Sequence, residues 1–386
     1  MNPDLIAKAR QDRLIGISDK ATNRVLRLWQ RVDMGQLDAS WAAIAPKIVQ
    51  QADAAQYAAA VGSDRFTSQL STANGFRQET ASIEARAFVG VDGSGRSTEG
   101  LLHGAVTTTK QSIGAGLSRT QSFEAGAVYL AAMMKTALAD SSRYSDMVSA
   151  TGRGYTQYMR LVESDACSRC IILAGATQFK PFKRHPACRC TTQALPPNAV
   201  GTNPHEVFSA MSEVDQDRAF GKSGAQALRD GADMNQVVSA RRGARGMGYA
   251  TRDPNFGNRG TRMVKTTIGT RPDGSAVRVY TTTEGTTRRG LFGSSQGRLG
   301  VTSQKVGDAR YATTKRVRLM PESIYEIADG NQATAKLLLR DAGYIEYPIT
   351  GFGPGNAWVE GQKRMREADR LFADRIYRQR GIQIAG

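Results

Sequence analysis

Asp165-Ala166-Cys167-Ser168-Arg169-Cys170, answered after a loop by His185-Pro186-Ala187-Cys188-Arg189-Cys190, is the stretch on which the reading of this chain turns. All four cysteines of the 386 residues lie here, spaced Cys-x2-Cys, then x14, then His-x2-Cys-x1-Cys. Thiolate and imidazole donors suit zinc, which takes four of them in a tetrahedral shell when its task is structural. Five candidates, Cys167, Cys170, His185, Cys188 and Cys190, compete for four places, and the Cys-x-Cys pair is tight enough that either member can be left outside. Two disulfides are the competing reading, disfavoured in a reducing cytoplasm but open to a protein that later leaves it. A catalytic metal would need an open position and a general base. Only Glu163 and Asp165 lie immediately beside the cluster, and neither belongs to an HExxH-type helix. The expectation is a closed cross-brace that steadies a loop-rich element, with structural zinc as its cofactor.

Upstream of the cluster the pattern is helical. Val25, Leu26, Trp29 and Val32, then Trp41, Ile44 and Ile48, recur at the spacing of one helix face. Ser18 and Asp38 stand where N-caps are expected. Phe88 to Gly95 reads as a short extended piece and a turn, followed by helices over Leu101 to about Leu117 and Ala125 to about Tyr144, the second capped by Thr120 or Ser122. Tyr155 to Val162, rich in aromatic and branched residues, predicts a strand leading into the cluster.

Downstream, Pro204 to Arg241 returns to helix signals, and Gly243 to about Gly300 is dense in Gly, Arg and Thr. Such a composition predicts a flexible arm, because it offers little apolar surface to bury. Pro321 then opens a smaller helical module. The expected division is a helical region 1–98, a central domain 99–242 holding the cysteine knuckle, a basic arm 243–316 and a helical module 317–386. The fold class is α+β, mainly helical.

The net charge of +17 is concentrated: from Arg241 to Met320 there are seventeen Lys and Arg against four Asp and Glu. A field of this kind attracts polyanions, so Arg241, Arg242, Arg245, Arg288 and Arg289 are expected to meet nucleic-acid phosphates or an acidic partner. No apolar run is long enough to cross a bilayer, and no basic run followed by an apolar core opens the chain, so no membrane partner and synthesis in the cytoplasm are expected.

The paired motifs Asp-x-Cys-x2-Cys and His-Pro-x-Cys-Arg-Cys resemble the signature of phage Mu F-like minor head proteins, and the preceding helices and strand are similar in order. Glu213 to Lys222, Gly231 to Val238, Ala240 to Gly243 and Thr283 to Gly290 look like stretches that follow this domain in head proteins of actinobacterial phages. The resemblance covers roughly Leu101 to Arg289. It implies a non-enzymatic minor capsid component, assembled in the host cytoplasm and resident in the virion, at the capsid interior or portal vertex. The implied partners are the portal protein, the major capsid protein, and also scaffold protein and packaged DNA, with a part in head assembly, DNA packaging or ejection.

Proteins of this layout also include capsid maturation proteases, which sets Ser94 and His103 beside the structural reading. A serine nucleophile needs a base and an orienting group. Gly93-Ser94-Gly95 lacks the strand-turn-helix context of a nucleophile elbow and reads as a turn, while His103 reads as a packed or surface residue on a helix. No Gly-x4-Gly-Lys-Ser/Thr is present, and the glycines after 243 do not follow a buried strand, so nucleotide chemistry has no support.

Overall fold

A computed structural model describes residues 2–76, 82–162, 166–179, 188, 190–243, 265–271, 273–305, 311–346 and 356–383, with backbone alone at 242–243 and 356–362. These residues form two units, one up to Met211 and one from Ser212 onward.

In the first unit five helices pack together: α1 (Pro3–Trp29), α2 (Leu37–Val61), α3 (Ser63–Ala73), α4 (Thr98–Gly114) and α5 (Arg119–Thr151). Asn2 caps α1 by accepting from the Asp4 amide at 2.8 Å, with Pro3 at the first helical position. Ser18, expected as a cap, is instead buried inside α1, because the apolar stripe Ile6, Leu14, Ala21, Val25 and Trp29 passes through it unbroken. Asp38 falls in the first turn of α2 and binds Lys110 Nζ at 2.7 Å. Ser118, rather than Thr120 or Ser122, starts α5, in a reciprocal capping box with Gln121.

The core of this bundle is aromatic at its centre. Trp29 stacks on Phe123 at 5.1 Å and meets the edge of Trp41 at 5.9 Å, with Leu101, Leu102 and Leu130 closing around them. Each such side chain contributes about 1.5–3 kcal/mol on burial. Gly126 permits the close approach of α4 and α5: a Cβ there would lie 2.2 Å from Thr109 Oγ1 and 2.6 Å from Trp29 Cζ2. The core therefore joins helices on both sides of residue 98, and the expected boundary at 98/99 cuts through it. The apolar faces of α1 and α2 are covered by α4 and α5, so neither half buries its own surface alone.

The predicted strand is present as β1 (Gln157–Leu161), paired antiparallel with β2 (Thr191–Leu195) from Gln157 opposite Leu195 to Leu161 opposite Thr191. A short helix α6 (Ser168–Ile172) lies between the two strands in sequence, and α7 (Pro204–Ala210) follows β2.

The second unit holds α8 (Glu213–Phe220), α9 (Lys222–Arg229), α10 (Met234–Gly243), a hairpin of β3 (Thr266–Thr270) and β4 (Ala276–Val279), and α11 (Leu291–Arg298). Two short strand pairs, α12 (Pro321–Ala328), α13 (Gln332–Asp341) and α14 (Asn356–Gln379) complete it. Pro321 opens α12 as expected. The basic arm is corrected over 265–271, 273–305 and 311–316, where the chain has regular structure packed with the C-terminal helices; 244–264 lie outside the described residues.

The reason is that arginines fill the role the missing apolar side chains would have taken. Arg318 is buried with its guanidinium 4.4 Å from the Tyr344 ring centre and 5.8 Å from that of Phe292, and it donates to the carbonyls of Ala342 and Glu284 at 2.8 Å. Arg316 pairs with Asp341 at 2.9 Å and Asp374 at 2.7 Å. The expected boundary at 316/317 thus also crosses packed structure. As a whole the described chain is a mainly helical α+β protein, and none of its described helices is long and apolar enough to cross a membrane.

Candidate metal centre

The β1–β2 register builds the site. Because Leu161 pairs with Thr191, the chain leaving β1 and the chain entering β2 start from the same end of the ladder. Cys190 immediately precedes β2, and Cys167 is the N-cap of α6, which carries Cys170 on its first turn. The Sγ atoms of Cys170, Cys188 and Cys190 lie within 4.8 Å of one another, all three residues buried, and Cys170 Sγ is 3.8 Å from Cys188 Sγ. Cys167 is half-buried, its thiol in hydrogen-bonding contact with that of Cys170. All four cysteines are unbridged.

This spacing fits a bound cation. Four sulfurs at the usual zinc–thiolate distance of about 2.3 Å form a tetrahedron whose edge is roughly 3.8 Å. The three buried cysteines are close enough to hold a metal, with Cys167 adjacent to them. His185 lies outside the described residues, as do Glu163 and Asp165.

The electrostatics point the same way. Contacts from Cys170 and Cys190, aided by the nearby Arg143 charge, hold the Cys188 thiol well below the usual thiol range. Contacts with Cys167, Cys188 and Cys190, together with burial, push Cys170 far up. At Cys190 the contact with Cys170 pulls the thiol down, but the Cys188 contact, burial and the Cys188 charge outweigh it and push it up to about 12. Sulfurs this close disfavour one another's thiolate forms, and a cation among them would favour deprotonation.

Two buried arginines, which the sequence reading did not single out, complete the surroundings. Arg160, on β1 and 2% exposed, directs Nη1 at Cys170 Sγ (3.2 Å) and Cys188 Sγ (3.7 Å). Its positive charge favours thiolate over thiol. Arg143, on α5 and also 2% exposed, donates to the carbonyls of Cys190 and Cys188, both at 2.9 Å, and pairs with Asp140 at 3.2 Å. The long helix thereby grips the backbone that carries two of the sulfurs. For Arg160 a signal existed in the sequence: a charge between Met159 and Leu161 in a predicted strand directly ahead of the cysteines. For Arg143 none did, since the contact spans 45 residues.

The other singled-out residues are dispersed. Arg241 Nη2 pairs with Glu322 at 3.3 Å, so this guanidinium is tied into the second unit. Arg288 and Arg289 are exposed on the turn before α11. Arg245 lies outside the described residues, and of Arg242 only the backbone is described. Ser94 Oγ donates to Asp92 Oδ1 at 2.7 Å within a tight turn, and His103 packs against the edge of Trp41 at 6.1 Å. Compared with known proteins, the chain matches no family model, no curated protein and no solved structure.

Proposed function

We propose that this chain is a structural component of a tailed-phage head, a minor capsid protein bound at the portal or inner capsid wall, whose central fold is closed by a zinc knuckle. The observation that carries the reading is the convergence of Cys170, Cys188 and Cys190, with Cys167 beside them, from the two halves of the motif that resembles the Mu F-like signature. Zinc held there ties the 162–190 connection to the β1–β2 pair, so that the flanking helices present a fixed surface to the portal or capsid. Four cysteines, or three with His185, make up the shell. Arg160 offsets the negative charge of such a shell, as buried cations do beside thiolates.

Arg288 and Arg289, exposed and close in sequence, are the residues proposed to meet DNA phosphates; Arg242 and Arg245 join them in this proposal. Arg241 contributes less directly, because its guanidinium already serves Glu322.

Metal analysis of the purified full chain tests the knuckle: one zinc per chain is expected, with thiols that react only after chelation. Zinc-free protein with all four thiols reactive would remove the cross-brace. Co-expression with the portal protein of the same genome tests the head assignment, a stable complex being expected. Absence of the chain from purified DNA-filled heads would sink that assignment even if zinc were bound. Binding to DNA should fall with salt and fall further in the Arg288→Gln, Arg289→Gln double variant.

A further inference from the structure

Between the N-terminal part of α1 and the start of α3 lies a cavity of about 360 Å³, apart from the metal centre, whose floor is formed by Ile6 and Phe66 of the apolar cluster shared with Leu70 and Tyr155. Three arginines line it, Arg10, Arg13 and Arg65, and no carboxylate does among the described residues. Apart from Gln69 its remaining wall is apolar, chiefly Leu5, Ile6 and Phe66. Leu5 is 67% exposed, although it stands one residue from the buried Ile6.

Arg10 marks the inner end. It is 6% exposed, and its Nη2 donates to Asp146 at 2.8 Å, to the Ala59 carbonyl at 2.6 Å and to Ser63 at 3.1 Å. Its other terminal nitrogen, Nη1, is buried with no partner among the described residues. That nitrogen faces Gly62, also on the cavity wall, where a Cβ would come within 2.5 Å of it. A buried guanidinium nitrogen without an acceptor costs free energy, and Gly62 lets the backbone close over it, so the reachable guanidinium groups of the cavity are those of the exposed Arg13 and Arg65.

We infer that this cavity is a binding site for a carboxylate carried on a short apolar group. Guanidinium groups bind carboxylates by paired hydrogen bonds, and Arg13 and Arg65 supply the charge, Arg10 being neutralised by Asp146. The apolar wall selects against a bare inorganic anion, whose oxygens would be left facing Leu5 and Phe66 without donors. The volume lies at the small end of ligand sites and suits one such group rather than a longer segment. The chemistry is shared by a medium-chain fatty acid and by the C-terminal residue of another chain ending in an aliphatic side chain.

Isothermal titration of the full chain distinguishes these sources, with octanoate, N-acetyl-leucine, acetate and inorganic phosphate as the probes. Saturable binding of octanoate or N-acetyl-leucine is expected, the tighter of the two naming the source, with acetate and phosphate at least about tenfold weaker, as loss of the apolar contact implies. Arg13→Gln and Arg65→Gln, both at exposed positions, should each weaken binding about tenfold or more, the value of one charge-assisted hydrogen bond. Unchanged tryptophan fluorescence would certify that the variants are folded. No saturable binding of either apolar carboxylate overturns the inference, as does binding that both variants leave unchanged. Equal binding of acetate, or preference for phosphate, overturns it too.

Discussion

Replacing Arg143 by Met isolates the contribution of the helix α5 to the metal centre. The side chain is 2% exposed and donates at 2.9 Å to the carbonyls of both Cys188 and Cys190, while pairing with Asp140 at 3.2 Å. Each hydrogen bond from a charged donor contributes about 1.5–3 kcal/mol. The terms are not additive, and Asp140 keeps the Gly93 amide at 2.9 Å, so the loss expected for the whole substitution is about 3–5 kcal/mol, that of breaking a buried pair. Met preserves most of the volume, which keeps a cavity from accounting for the effect. Urea unfolding followed by tryptophan fluorescence is the assay. In a Trp358→Phe background the signal comes from Trp29 and Trp41, both in the first unit's core. Zinc release to a chelator should accelerate in parallel, because the backbone of two candidate ligands loses its anchor. Arg143→Lys should fall close to Met, since a single ammonium does not reproduce the planar fork. A loss below about 1 kcal/mol with unchanged zinc retention would refute the reasoning, being no more than an ordinary surface substitution costs.

Gly126→Ala should lower the first unit's stability by about 1–3 kcal/mol through overpacking against Thr109 and Trp29, measured in the same urea titration; an unchanged midpoint would mean that α4 and α5 part freely. Arg318→Met should cost about 3–5 kcal/mol in the second unit, since it strips donors from the Ala342 and Glu284 carbonyls at the centre of that fold. Hydrogen exchange at β4, α12 and α13 would register the change. Asp92 gives a pH prediction. Burial pushes its carboxyl up, but hydrogen bonds from Ser94 and Arg96 outweigh this and hold it down at about 2, against an ordinary 3.8. The unfolded chain therefore binds this proton more readily than the folded one, so the group's stabilisation is full above about pH 4 and is lost as pH falls through 2. The stability gap between wild type and Asp92→Asn should narrow over that window, and a gap independent of pH would count against the hydrogen-bonded turn.

How much of this was legible beforehand varied with the range of the interaction. The helical N-terminal half, the strand before the cysteines and Pro321 at a helix start follow from local periodicity and backbone preference, and each is present. The cap positions were less accessible, because Ser18, Ser118 and Ser122 share one chemistry and only the neighbouring turns decide which has a free amide to satisfy. Domain limits placed by composition at 98 and 316 ran through packed cores, since burial depends on which faces meet and not on the composition of either segment.

The cysteine spacing by itself determined that soft donors stand in two pairs either side of a loop, and this needs no fold to be read. Only tertiary structure decided that three of the sulfurs meet, because their approach depends on the β1–β2 register and on α6 turning Cys170 back toward the ladder. The same holds for charge. Composition alone sets the number of arginines between 241 and 320, but whether a guanidinium faces solvent or lies against Tyr344 and Phe292 depends on the aromatic rings and carbonyls the fold brings to it. Covalent order sets which groups a chain carries; desolvation and pairing, settled across long sequence distances, set what those groups do.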